Sequence, residues 1–140
     1  MRKGPIARVA LAGLMTLGFI AAAAPASGPA ALAMIEPGEW QLKESGVAAS
    51  GRSLCIADPQ ILIQLQHPGA RCSRFTVDDT PSSATVHYTC PSAGHGRTTI
   101  RVESATVIHV QTQGIADGAP FEFDYEGRRT GACGGPGTSR

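Results

Sequence analysis

The sequence contains almost no lysine, with Lys3 and Lys43 as the only two among 140 residues. Three of its 12 basic residues (Arg2, Lys3 and Arg8) lie in the first eight positions. Residues 34–140 therefore carry nine basic and 11 acidic side chains, a net charge of −2. Because a nucleic-acid-binding domain normally presents a basic face, this charge balance argues against nucleic acid as a partner.

The sequence also lacks the short motifs that mark common catalytic sites. No G-x-S-x-G segment presents a nucleophilic serine, and no H-E-x-x-H segment supplies two zinc ligands and a general base. The pairs Asp78-Asp79 and Ser82-Ser83 are more simply interpreted as turn residues. We therefore predict no catalytic residue and no bound cofactor, and expect a protein that is not an enzyme.

A metal-ligand pattern is likewise missing. The four histidines (His67, His87, His95 and His109) are never two or four positions apart. No two cysteines have the C-x2-C spacing that is typical of zinc sites. Neutral histidines at the surface or at a helix end are the simpler interpretation, so no metal site is predicted.

The uncharged apolar run is shorter than the roughly 20 residues of a membrane-spanning helix. It covers residues 9–24, follows the basic start, and is followed by the A-x-A pattern Ala31-Leu32-Ala33. This order of basic, apolar and small residues predicts a secretory signal peptide over residues 1–33, cleaved after Ala33. A retained anchor is the alternative. No cysteine lies near the cleavage site, which argues against a lipoprotein, and no twin-arginine pair precedes the apolar run. We therefore expect export to the periplasm by the general pathway.

Removal of this leader leaves one β-rich domain, residues 34–133, and no membrane span. The tail, residues 134–140, has nothing to bury and is expected to be disordered. All four cysteines, Cys55, Cys72, Cys90 and Cys133, lie in the exported part. An even number of cysteines in a short exported chain predicts two disulfides.

Spacing alone leaves three ways to pair the cysteines. We predict Cys55–Cys72 because these two flank a short predicted helix, which leaves Cys90–Cys133 to tie the last strand to an earlier one. Asp58 is a suitable N-cap for that helix, with Pro59 at the first helical position and Pro68-Gly69 at its end.

Alternation of apolar and polar residues predicts about seven short strands. In the last of them Phe121, Phe123 and Tyr125 face inward, and Asp117-Gly118 is a hairpin turn signal before it. The expected fold is mainly β with one short helix. Its antiparallel sheet is curved, with partial closure into a barrel left open, and it carries two disulfides.

Three residues are candidates for a ligand or partner surface. Trp40 would stack on a ligand, although a tryptophan beside Leu42 in a strand more often belongs to the core. Arg128 and Arg129 would clamp an anion, since guanidinium groups fit carboxylate or phosphate. The simpler alternative pairs Arg128 with an acid on a neighbouring strand and packs the stem of Arg129 near a disulfide.

Several segments together resemble a known family. They are "PGEW", the cysteine before the "DP" helix, two cysteines at strand positions, and the closing "YEGRRTGAC". The family comprises small exported proteobacterial proteins that carry a domain of unknown function, with a P-G-x-W start and a Y-x-G-R-x-x-G-x-C end. The match spans residues 37–133 and lacks the methionine-rich segment found after the first strand of many relatives. It implies a compartment rather than an activity.

Two functions of different classes follow. The first is a non-catalytic binding or interaction module of the cell envelope, with an unknown envelope protein or small molecule as partner. The second is a carrier that holds a small apolar ligand inside a curved sheet. A filled interior would favour the first, and a cavity lined by Phe, Ile and Val the second.

Overall fold

The computed structural model describes residues 28–48 and 51–134, together with Gly4. Most of the expected signal peptide and residues 135–140 of the expected disordered tail lie outside the described residues. The predictions for those parts therefore remain predictions.

Seven antiparallel strands form one sheet in the order β2-β1-β7-β6-β5-β4-β3. The strands are β1 (Gly38–Glu44), β2 (Gly51–Ile56), β3 (Ser73–Asp79), β4 (Ser83–Cys90), β5 (Gly94–Ser104), β6 (Val107–Ala116) and β7 (Ala119–Gly131). The prediction of a mainly β, antiparallel sheet is confirmed. Because β2 and β3 lie at opposite edges, the sheet is open and does not close into a barrel.

The turn between β6 and β7 confirms the Asp117-Gly118 prediction. Ala116 pairs with Ala119, so the loop holds only these two residues. Both have positive φ, 49° at Asp117 and 81° at Gly118. Positive φ at both central positions is what a tight hairpin turn of matching twist requires, and the Asp-Gly dipeptide provides it.

Two short 3-10 helices, η1 (Ala30–Met34) and η2 (Pro59–Gln64), accompany the sheet. Asp58 caps η2 as predicted, its carboxylate accepting from the Gln60 amide at 3.0 Å. A 3-10 helix has three residues per turn instead of 3.6. In η2, Ile63 lies in the core at 1% exposure, whereas Ile61 is 37% exposed. Within the described part of the chain, no helix has the length and apolar character to cross a bilayer.

Both helices pack on one side of the sheet, chiefly over β4 and β5. We call this side the covered face and the opposite side the open face. Side chains of the covered face alternate along each strand with those of the open face. The largest fully buried side chains of the domain are Trp40, Tyr88, Leu42, Ile56, Leu62, Ile63, Ile100, Ile108, Val86 and Val110.

The expected cleavage position, after Ala33, falls inside η1. Ala31 and Leu32, on the leader side of that position, are only 0% and 5% exposed and belong to the hydrophobic core. Two residues of the predicted signal peptide therefore pack in the core of the domain.

The predicted number of disulfides is confirmed, but the predicted pairing is wrong. The bonds join Cys55 to Cys133 and Cys72 to Cys90. The sheet order explains the difference. β1 lies between β2 and β7, and its Glu39 pairs with Cys55 on one side and with Gly131 on the other. The cysteine that follows Gly131 by two residues therefore comes within reach of Cys55.

We predict that the two disulfides contribute unequally to stability. The Cys55–Cys133 bond spans 78 residues and the Cys72–Cys90 bond 18. In the chain-entropy model, a closed loop of the first length stabilises by about 4.5 kcal/mol and one of the second by about 3 kcal/mol. Replacing Cys55 and Cys133 by alanine should therefore lower the free energy of unfolding more than replacing Cys72 and Cys90. Urea denaturation measures both, and the opposite order would contradict the prediction.

Candidate functional site

The open face carries most of the charged side chains of the central strands. Register places Arg97 and Arg101 of β5 on this face, and β6 contributes Gln111 and Gln113 beside them. Strand β7, the next neighbour of β6, adds acidic residues that lie opposite residues of β6. These are Glu122 opposite Gln113, Asp124 opposite Gln111 and Glu126 opposite His109.

Charge is therefore separated across three neighbouring strands. In the two rows that contain Gln111 and Gln113, arginine lies on β5, the amides on β6 and the carboxylates on β7. This part of the open face is therefore positive on its β5 side and negative on its β7 side. Neighbouring strands are about 4.8 Å apart. The backbones that bear Arg97 and Glu122 are thus about 10 Å apart, with Gln113 between them.

A pocket of about 210 Å³ lies at this boundary. It is lined on the open face by Arg97, Thr99, Gln111, Gln113, Glu122 and Asp124. Its walls are thus a guanidinium and a hydroxyl on the β5 side and two carboxylates on the β7 side, with two amides of β6 between them. We call this the bipolar pocket.

Contacts within the pocket hold one carboxylate and leave the other free. Asp124 accepts from the amide of Gln111 at 3.1 Å and from the hydroxyl of Ser45 at 3.4 Å. Neither Arg97 nor Glu122 makes an ion pair within the part of the chain that the structure describes. The pocket therefore presents one cation and one anion that are available to a ligand bearing the opposite charges.

Of the candidate surface residues, Trp40 does not lie at a surface. It is 0% exposed, and its indole N–H donates to the Glu36 carbonyl at 3.0 Å. The ring belongs to the covered face and no ligand can stack on it. Its alternative interpretation, as a core residue, is the one that the structure supports.

Arg128 and Arg129 do not form a joint anion clamp, because consecutive residues of a strand point to opposite faces. Arg128 lies on the open face and pairs with Glu126 of its own strand at 2.7 Å, instead of with a neighbouring strand's acid. Arg129 points the other way, where its Nε donates to the Pro37 carbonyl at 3.0 Å and its guanidinium meets Glu36 at 3.4 Å. Arg129 thus fixes the segment that enters β1.

The histidines are scattered over the domain. His87 and His95 are exposed on the open face, and His109 pairs there with Glu103 at 3.0 Å. His67 instead lies in the core at 5% exposure. No group of three or more potential metal ligands occurs among the described residues.

A buried polar network was missed by sequence reasoning. Its members are His67, Tyr88, Thr98 and Thr112, which come from one loop and three strands. The Nδ1 of His67 lies 3.1 Å from the Tyr88 hydroxyl, and its Nε2 lies 3.1 Å from the carbonyls of Ala93 and Ile115. Carbonyls only accept, so Nε2 carries a proton, and in the neutral ring Nδ1 then accepts from the Tyr88 hydroxyl.

The rest of the network ties η2 to the sheet. Thr98 donates to the Ile63 carbonyl at 2.6 Å and exchanges a hydrogen bond with Thr112 at 2.8 Å. Burial raises the pKa of Tyr88, and its hydrogen bond with Thr112 opposes this less strongly. The phenol therefore remains a neutral donor to His67.

This network is closed to substrates. The Tyr88 hydroxyl packs directly against Gly96, where a Cβ would lie 2.5 Å from the hydroxyl oxygen. No free space therefore remains beside it. Both ring nitrogens of His67 are already engaged. The network therefore stabilises the packing of η2 and the following loop, whereas the bipolar pocket faces solvent.

Comparison with known proteins provides no relative. No protein-family model matches the chain, and neither the curated proteins nor the solved structures include a significant match. The resemblance to a small exported family therefore rests on the motifs alone.

Replacing Thr98 by valine should test the network. Valine keeps the shape but leaves the buried Ile63 carbonyl without its donor, which typically costs about 1–3 kcal/mol. Thr89→Val is the matched control, because Thr89 is exposed on β4. Chemical denaturation should show a loss for Thr98→Val and almost none for Thr89→Val. Equal stability of the two variants would contradict a structural role for the network.

Proposed function

We propose that this protein is an exported, periplasmic domain that acts as a non-catalytic binding or interaction module of the cell envelope. Its two disulfides engage all four cysteines. Such bonds persist in oxidising compartments and are rare in the cytosol. The basic, apolar and small-residue order of its first 33 residues supports export through a cleaved signal peptide. The motif resemblance to small exported proteins agrees with this compartment.

The observation that carries the binding proposal is the bipolar pocket. One face of the sheet is covered by η1 and η2, whereas the open face keeps Arg97 and Glu122 in solvent on opposite walls of the same pocket. A ligand that bears both a carboxylate and an ammonium group, such as the end of a peptide or an amino acid, matches this arrangement. The carboxylate would meet Arg97 and the ammonium Glu122.

The packing of the covered face favours this proposal over an apolar-ligand carrier. A carrier needs space among its apolar side chains, and here Ile100, Ile108 and Val110 are at most 1% exposed within one continuous core. Thr98 and Thr112 complete this layer through their mutual hydrogen bond. The bipolar pocket, by contrast, is lined mainly by polar side chains.

Native mass spectrometry of protein purified from its own periplasm tests the proposed class of function. A co-purifying envelope protein or a retained polar molecule would support a binding module. A retained apolar molecule would favour the carrier instead. Turnover of a co-purified compound would contradict a non-catalytic role.

The chemistry of the pocket predicts binding of a zwitterionic probe, dialanine. We expect ¹H–¹⁵N chemical-shift changes centred on β5, β6 and β7 at millimolar dialanine, and weaker binding at high salt because the charges are exposed. Arg97→Gln and Glu122→Gln should each weaken binding by up to about fivefold, the upper end for an exposed charge pair. Arg101→Gln, on the same strand and face but outside the pocket lining, is the matched control.

Blocked peptides make this test sharper. N-acetyl-dialanine lacks the ammonium group, so its binding should not depend on Glu122. Dialanine amide lacks the carboxylate, so its binding should not depend on Arg97. Shift changes outside these three strands, or equal effects of all three substitutions, would contradict the assignment of the pocket.

A further inference from the structure

The segment before β1 is an integral part of the folded domain. Ala31, Leu32 and Ile35 are 0%, 5% and 3% exposed and join the same core cluster as the sheet. Met34, on the other side of the helix, is 56% exposed. Helix η1 thus has one face that is built to be covered, and it packs on β4, β5 and η2.

Backbone hydrogen bonds hold this segment at both ends. The amide of Ala30 donates to the carboxylate of Asp79 at 2.8 Å, at the end of β3. The amide of Glu36 donates to the Ala105 carbonyl at 3.0 Å, in the turn between β5 and β6. The segment therefore crosses the covered face with an anchor on each side.

Cleavage after Ala33 would remove the first anchor together with Ala31 and Leu32. The apolar side chains of β4 and β5 beneath η1 would then be exposed to water, and exposing apolar surface is unfavourable. Burial by itself does not protect the bond after Ala33, because a leader is removed from a chain that has not yet folded. The processed chain, however, must fold afterwards, and without Ala31 and Leu32 it would leave that surface uncovered.

We propose that the signal peptide is cleaved upstream of Gly28, after Ala26, so that the processed protein begins at Ser27 and retains η1. Ala24-Pro25-Ala26 is an A-x-A pattern that begins at the last residue of the apolar run of residues 9–24. Small residues at these two positions are what a signal-peptide cleavage site requires. In the A-x-A pattern at residues 31–33, by contrast, Ala31 and Leu32 belong to the core and only Ala33 is exposed.

This inference rests on the proposed export, and one experiment distinguishes a wrong cleavage position from a failure of export. The full chain, with its leader, is produced in a bacterium that has a periplasm, and the intact mass and N-terminal sequence of the periplasmic protein are determined. A chain that starts at Ser27 supports the inference. A start at Met34 overturns it while leaving export intact. A full-length chain in the membrane or cytoplasmic fraction overturns the proposed export and the cut together.

A stability measurement tests the physical reason independently. Chains that begin at Ser27 and at Met34 are purified with their disulfides intact, and their thermal unfolding is compared. We expect the shorter chain to melt about 10 °C lower or to remain unfolded, given the apolar surface that it leaves uncovered. Equal melting temperatures would overturn the inference.

Matched substitutions in the longer chain distinguish burial from length. Leu32→Asp places a charge in the core and should lower the melting temperature strongly. Met34→Asp changes an exposed residue of the same helix and should have almost no effect. Similar effects of the two substitutions would show that η1 does not depend on its buried face.

Discussion

The pairing of β1 with β7 is the constraint on which the rest of the fold depends. It joins the hairpin of β1 and β2 to the five-stranded meander that runs from β3 to β7. Leu42 lies opposite Gly127, and a Cβ on that glycine would lie 2.9 Å from the Leu42 side chain and 2.7 Å from that of Ile108. The missing side chain thus lets two large apolar groups meet across β7. The same pairing places Gly131 opposite Glu39, so Cys133, two residues further on, comes within reach of Cys55.

Local features of the fold could be predicted from the sequence, because they depend on neighbouring residues. Alternation defines the strands, Asp117-Gly118 forms its tight turn, and Asp58 caps η2. The strand order could not be predicted, because it depends on which distant strands meet. The disulfides show the consequence, since pairing Cys55 with Cys72 rested on their proximity in the sequence. The entropic cost of closing a loop grows only slowly with its length, so proximity is a weak guide.

The same distinction separates the two polar sites. Alternation places Arg97 and Glu122 on one face of their own strands, but their meeting across β6 depends on the register of three strands. The network around His67 depends on the relative placement of four separate segments, one loop and three strands, because each contributes one member. No local sequence signal predicts that His67 is buried whereas His87 is exposed. Only the position of the loop after η2 brings it under the sheet.

The pairing of the first strand with the last also imposes an order in time. A chain is synthesised from its N-terminus, so β1 emerges long before the residues of β7 with which it pairs. Until then, Trp40 and Leu42 have one strand neighbour, β2, and lack the other. The meander from β3 onward can form strand by strand, but the sheet becomes complete only when residues near Gly131 are free. The chain therefore remains incompletely folded, with apolar surface accessible, until β7 is available for pairing with β1.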